Sequence, residues 1–193
     1  MRGSSGFGRA WEMADQREKR AGVIEDMGTV NAWARTQPWA DASRIVIAGG
    51  SYGGWIVLMG LERQPKLWSA GLDLFGIADL RTLLRTTDKT VRAMFIEEFG
   101  EPDQDAALLA AWSPLADAAR IGAPLFVYQG QNDPRVPRAE SDAIVKVLRK
   151  RGVAVEYMVA KDEGHSVAHR ENQIELLSRA ARFLEEHAAP AAP

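Results

Sequence analysis

The chain has 193 residues, 46% hydrophobic and 26% charged, the balance of a folded globular domain rather than a disordered or fibrous chain. Its net charge of −2 gives no electrostatic case for nucleic acid or an anionic membrane, so neither is expected as a partner. The lack of cysteine excludes disulfides, thiol catalysis and cysteine metal sites, and fits a reducing compartment and a cytoplasmic location.

Helical and strand patterns alternate along the chain, which predicts an α/β architecture with a short, mostly parallel sheet flanked by helices. No apolar run reaches membrane-spanning length, and the start lacks the apolar core of a signal peptide. Val23, Met27, Val30 and Ala34 fall on one face of a helix that ends before Pro38. A strand at 44–48 follows, then a helix from Tyr52 to about Glu62 and a strand near Ala70–Phe75. Residues 79–112 read as short helices forming a lid-like insertion. After a strand at 124–128, Ala139–Lys150 is helical and stops at Gly152, where a C-terminal glycine is expected. A last strand over Val153–Val159 precedes a helix with Ile174, Leu177, Ala181 and Leu184 on one face, running to about His187. Residues 1–187 are thus expected to form one domain, and 188–193 a disordered low-complexity tail.

The strand at 44–48 breaks into Gly49-Gly50-Ser51-Tyr52-Gly53, a G-x-S-x-G pattern. That spacing suits a nucleophilic serine on a sharp strand-to-helix turn, where bulkier neighbours would clash. There the Tyr52 backbone N–H can point at a developing oxyanion. Phosphate-loop readings fail, because no Gly-Lys-Ser/Thr follows and position 51 is not the second glycine of G-x-G-x-x-G. Asp133 and His165 each sit just past the carboxyl end of a later strand, in the order serine, acid, histidine. Loops at that edge of a parallel sheet converge, so the three can meet, with His165 as base and Asp133 holding its tautomer. Asp73 and Asp79 are alternative acids on position alone.

These residues carry a resemblance. Arg2-Gly3-Ser4-Ser5-Gly6-Phe7-Gly8, Gly49-Gly50-Ser51-Tyr52-Gly53-Gly54, Asp133-Pro134-Arg135-Val136-Pro137 and Asp162-Glu163-Gly164-His165 resemble the prolyl oligopeptidase family, and in particular its acylaminoacyl-peptidase-like branch. The resemblance implies Ser51 as nucleophile, Asp133 as acid and His165 as base. It favours Asp133 over Asp73 and Asp79. It also implies a serine peptidase with an α/β-hydrolase fold, in which the N-terminal strands, the propeller and the family's His-Gly-Gly turn are missing from this chain. Ser166 stands where the family usually has glycine. Without the region around that turn only the Tyr52 N–H is left as oxyanion donor, and losing one donor typically costs about 10²–10³ in turnover.

The expected activity is cleavage of peptide or ester bonds through an acyl-enzyme on Ser51. The alternatives are a small stand-alone carboxylesterase for short acyl esters, or a non-catalytic oligomerising fragment. The resemblance implies that Val136, three residues after the acid, lines the substrate pocket; Tyr52, which flanks Ser51, and Ile77, in the segment that leaves the sheet beside Ser51, are expected to complete a small apolar pocket. No cofactor or metal is expected. His165 and His169 are four apart but lack the glutamate of H-E-x-x-H, and no third ligand cluster stands out. Glu97, Glu98 and Glu101 read as a solvated helix face, and Trp55, Trp68 and Trp112 as core fillers. With no strand before it, the apolar run Ile45-Val46-Ile47 would form a sheet edge, and a homodimer covering that edge is expected.

Overall fold

The computed structural model describes residues 1–188; the residues expected to form a disordered tail lie outside it except for Ala188, which is buried at the end of the last helix. Four strands form one parallel sheet in chain order, β1 (Val46–Gly50), β2 (Ala70–Leu74), β3 (Leu125–Gly130) and β4 (Val155–Ala160). Each connection is a helical crossover, as parallel pairing requires. Helices α1 (Arg9–Glu12) and α2 (Ala21–Ala34) precede β1, and α3 (Tyr52–Arg63) follows it. Between β2 and β3 come α4 (Leu80–Thr86), α5 (Lys89–Phe99) and α6 (Ala106–Ala111), the short-helix insertion expected for this stretch. Helix α7 (Arg138–Lys150) joins β3 to β4, and α8 (Arg170–His187) closes the domain. No helix among the described residues is long and apolar enough to cross a membrane.

Strand alternation divides the core between the two faces of the sheet. On one side Leu125 and Val127 of β3 pack with Trp55, Leu58, Ile144 and Leu148 from α3 and α7. On the other, Phe126 and Tyr128 pack with Leu176 and Phe183 of α8, the Phe126 and Phe183 rings meeting edge-on at 5.8 Å. β3 is buried along its whole length, as expected of an apolar run covered on both faces. Trp55 and Trp68 are core residues, and the buried Trp55 indole donates to the Trp112 carbonyl at 2.7 Å.

Three expectations are corrected. The first strand begins at Val46 and runs through Gly50, two residues further than the apolar run indicated, because pairing with Ala70–Leu74 continues into the glycines. On α2, Val23 and Ile24 face inward and Val30 outward, and Asn31 takes a core-facing place by donating to the Leu67 carbonyl at 2.9 Å. On α8, Ile174 and Leu177 are 55% and 69% exposed, while Leu176 and Phe183 meet the sheet. The sequence of α8 holds two apolar stripes, and only contact with Phe126 and Met158 decides which is covered. β1 is an outer strand of the sheet, and no strand among the described residues pairs with its far side.

Candidate active site

All three predicted catalytic residues stand at the carboxyl end of the sheet. Ser51 is the residue between β1 and α3 and has φ 58° and ψ −120°, a left-handed conformation rare for a residue with a side chain. Its N–H is anchored to the Leu74 carbonyl at 2.9 Å, which ties the turn to β2. The two motif glycines do different work. A Cβ on Gly49 would sit 2.5 Å from the Gly53 carbonyl oxygen, whereas one on Gly53 would meet nothing within 4 Å. Of the two glycines in the pattern only Gly49 is sterically required, and after the serine the crowded position is Gly54, where a Cβ would lie 2.6 Å from the Gly76 Cα. Tyr52 is the first residue of α3, so its N–H is among those with no partner inside the helix.

His165 lies in the loop after β4, with Nε2 2.8 Å from Ser51 Oγ and Nδ1 2.7 Å from Asp133 Oδ2. Because a carboxylate accepts, Nδ1 carries the proton and Nε2 is left to accept from the serine hydroxyl. The Asp133 side chain is fully buried and that of His165 13% exposed. The remaining Asp133 oxygen accepts the N–H groups of Arg135 and Val136 at 2.9 and 3.0 Å. Gln129, at the end of β3, is buried beneath this loop. Its amide nitrogen donates to the Val136 carbonyl at 3.1 Å and lies 3.4 Å from Asp133 Oδ2, while its oxygen accepts from Ser141 at 2.8 Å.

Glu163 performs the corresponding task under the histidine loop. Its carboxylate accepts from the N–H groups of Ala168 and His169, from Asn172, and faces His169 Nδ1 at 3.0 Å. Burial works against the charge, but these donors outweigh it and hold the Glu163 carboxyl at about 2. His169 is engaged by Glu163 rather than by His165, which leaves the i, i+4 pair without a shared ligand. Phe75, at φ 45°, follows β2 and lays its ring 4.7 Å from the His165 imidazole.

The alternative acids lie elsewhere. Asp79 caps α4 through the Arg81 N–H and also holds the Arg81 guanidinium. Asp73 is fully buried within the sheet beside Gly54 and Gly76, and burial pushes its carboxyl up to about 7. Val136 and Ile77, two of the expected pocket residues, are core side chains at 1% and 0% exposure. Tyr52, the third, lines a cavity of about 330 Å³ on the side of α5.

The Tyr52 ring stacks on Trp55 at 5.3 Å, and its hydroxyl meets a buried ionic cluster with no signature in residue spacing. Arg20, fully buried, donates to Asp15 at 2.6 Å, to the Tyr52 hydroxyl at 2.7 Å and to Glu98 Oε2 at 2.7 Å. Its guanidinium also lies 4.2 Å from the Phe99 ring centroid. Removing Arg20 would strand Asp15 as an unpaired buried charge, a loss of about 3–5 kcal/mol. Glu98 therefore does not belong to a merely solvated face. The N-terminal segment, the start of α3 and α5 are bound to one another through this one side chain.

Comparison with known proteins places the chain in a family and a fold. The chain matches the prolyl oligopeptidase family over residues 1–191. It is 38% identical over 176 residues to dipeptidyl aminopeptidase BIII of Pseudoxanthomonas mexicana, a match covering 89% of this chain and 26% of that protein. The fold is similar to that of a puromycin-hydrolyzing peptidase from Mycobacterium tuberculosis, with a TM-score of 0.92 at 26% identity over 98% of this chain and 29% of that one. It is also similar to an acylaminoacyl peptidase from Pyrococcus horikoshii, with a TM-score of 0.87 at 25% identity over 99% and 32%. The chain spans about a quarter of the length of two curated relatives it matches, 26% in each.

Proposed function

The chain belongs to the prolyl oligopeptidase family of serine peptidases, and from that premise we propose that it cleaves peptide bonds through an acyl-enzyme on Ser51. The observation that carries this reading is the continuous path from Ser51 Oγ to His165 Nε2 at 2.8 Å and from His165 Nδ1 to Asp133 at 2.7 Å. As Ser51 Oγ attacks the scissile carbonyl, His165 takes its proton, and Asp133 stabilises the resulting imidazolium. The Tyr52 N–H donates to the oxyanion. The imidazolium then protonates the leaving amine, and water repeats the sequence to release the acyl group.

Ester cleavage through the same acyl-enzyme is the second reading, favoured by a serine–histidine pair that needs less leaving-group assistance with an activated ester. Parallel assays with p-nitrophenyl acetate and a peptidyl p-nitroanilide separate the two. Peptidase chemistry predicts turnover of both, and an esterase turns over the first alone. Neither substrate reacting, with Ser51 unlabelled by a fluorophosphonate, would leave only the non-catalytic reading. We also propose that the 193-residue chain by itself forms a homodimer over the outer side of β1. Sedimentation at micromolar concentration tests this, and a stable, folded monomer contradicts it.

A further inference from the structure

Phe75 stands in a backbone conformation that its side chain disfavours. Its φ of 45° is left-handed, a region that glycine enters freely and a bulky residue rarely does. The turn itself serves the site. The Leu74 carbonyl just before it accepts the Ser51 N–H at 2.9 Å, and the Phe75 N–H donates to the Tyr128 carbonyl at 2.7 Å. A glycine would make the same turn without strain, so what phenylalanine adds is its ring. Strained residues of this kind cluster at functional sites.

That ring meets both the residue before Ser51 and the imidazole of His165. A Cβ on Gly50 would lie 3.0 Å from Phe75 Cε2, so a bare glycine there lets the ring come in. The ring centroid is 4.7 Å from that of the His165 imidazole, with 51° between the planes, and the Tyr128 ring meets it edge-on at 6.1 Å. We propose that Phe75 is a positioning residue for the hydrolytic reaction, whose ring steadies the His165 imidazole and stabilises its charged form. The inference rests on the hydrolase reading above.

Two hydrogen bonds hold the imidazole by its nitrogens, to Ser51 Oγ and to Asp133 Oδ2. A ring held at those two points can still rock about the line that joins them, and the Phe75 ring is a third restraint. An aromatic ring within about 6 Å of a cation also attracts it, more strongly where water is excluded. The His165 side chain is only 13% exposed. The attraction is greater for imidazolium than for imidazole, so it grows as Ser51 gives up its proton, and only an interaction that grows in this way speeds the step.

The other charges around His165 are placed independently of Phe75. Asp133 is held by the Arg135 and Val136 N–H groups. Asp162 and Glu163 both accept from Asn172, and Glu163 also from the Ala168 and His169 N–H groups. The Tyr128 hydroxyl turns to the Ser166 carbonyl at 3.3 Å, and Asp73 of β2 turns toward Gly54 and Gly76.

The chain has three histidines, so the His165 ring signals can be followed by NMR through a pH titration without substrate. Phe75→Leu keeps the apolar bulk and removes the aromatic ring. Its His165 midpoint should fall by about half a pH unit, the size of one cation–π contact. The acid limb of kcat/KM for a blocked peptidyl p-nitroanilide should move down with it, and kcat should drop at least about threefold with KM unchanged. Phe75→Tyr keeps the ring and should match the wild type in both measurements. Phe75→Met replaces the leucine variant if that does not fold, its thioether filling the same space. With Ser51 labelled by a fluorophosphonate, a His165 midpoint that stays or rises without the ring overturns this inference alone. So does an equal fall in Phe75→Tyr, which would mark lost fit rather than a lost ring. No label on Ser51 and no cleavage overturn the hydrolase reading and this inference with it.

Discussion

At the β1–α3 turn the backbone positions Ser51, the proposed nucleophile, while in the loops after β3 and β4 buried side chains position Asp133 and His165. Ser51 is fixed by a left-handed φ of 58°, by its N–H bond to Leu74 and by the close approach of Gly49 to the Gly53 carbonyl. Asp133 and His165 sit in loops whose conformations rest on Gln129 and Glu163, each satisfying several groups at once. Backbone positioning forces residue types at fixed spacing. Side-chain positioning needs only some polar group in the right place. The first kind is tightly specified and intolerant, and the second can be weakened by degrees.

The comparison orders the expected effects of mutation. Ser51→Ala and His165→Ala should each lower kcat by roughly 10⁴–10⁶, with the double variant little worse than either, because they act as one unit. Additive losses in steady-state kinetics would mean that the two do not act together. Asp133→Asn should cost about 10⁴ while circular dichroism stays unchanged, since the imidazole is then held in the wrong tautomer.

Gly49→Ala against Gly53→Ala tests the backbone side directly. The first must move the turn by part of an ångström and should cost on the order of 10²-fold in kcat, whereas the second meets open space and should stay within a few-fold. Equal effects would contradict the steric account. On the side-chain side, Glu163→Gln should be milder, about tenfold or somewhat more in kcat/KM, because the loop keeps part of its hydrogen bonding.

Glu163 also gives a pH signature. Its carboxyl lies at about 2 in the folded chain against an ordinary value of 4.5, so its stabilisation is present above 4.5 and is lost as pH falls toward 2. Glu163→Gln should flatten that part of the melting-temperature profile. Asp73 has the opposite sign. Its raised value of about 7 means that stability falls as pH rises from its ordinary value of 3.8 through 7, and Asp73→Asn should reduce that slope. A melting profile unchanged by Asp73→Asn would show that the carboxyl does not titrate as its burial implies.

The same contrast explains what the sequence disclosed. Strands β1, β3 and β4 were legible as apolar β-branched or aromatic runs, β2 as a short apolar stretch running into Phe75, and Ser51, Asp133 and His165 as residues just past three of their carboxyl ends. The outward turn of Val30, Ile174 and Leu177 was not legible, because a second apolar stripe on a helix looks the same whether or not a sheet covers it. Gln129, Glu163 and the Arg20 cluster were missed for a related reason. Asp15 and Arg20, Tyr52, and Glu98 come from three separate stretches, and no periodicity links them. Glu163 had one available signal, its place two residues before the histidine and six before His169, whose N–H it accepts.

The most direct test of the central claim is fluorophosphonate labelling of the wild-type chain and of His165→Ala, with the adduct mapped by peptide mass spectrometry. The account predicts one adduct per chain, on Ser51, formed at least about 10²-fold more slowly when His165 is replaced, the lower end of what a positioned general base contributes. A wild-type adduct on another residue, or labelling of Ser51 at the same rate without His165, would contradict it.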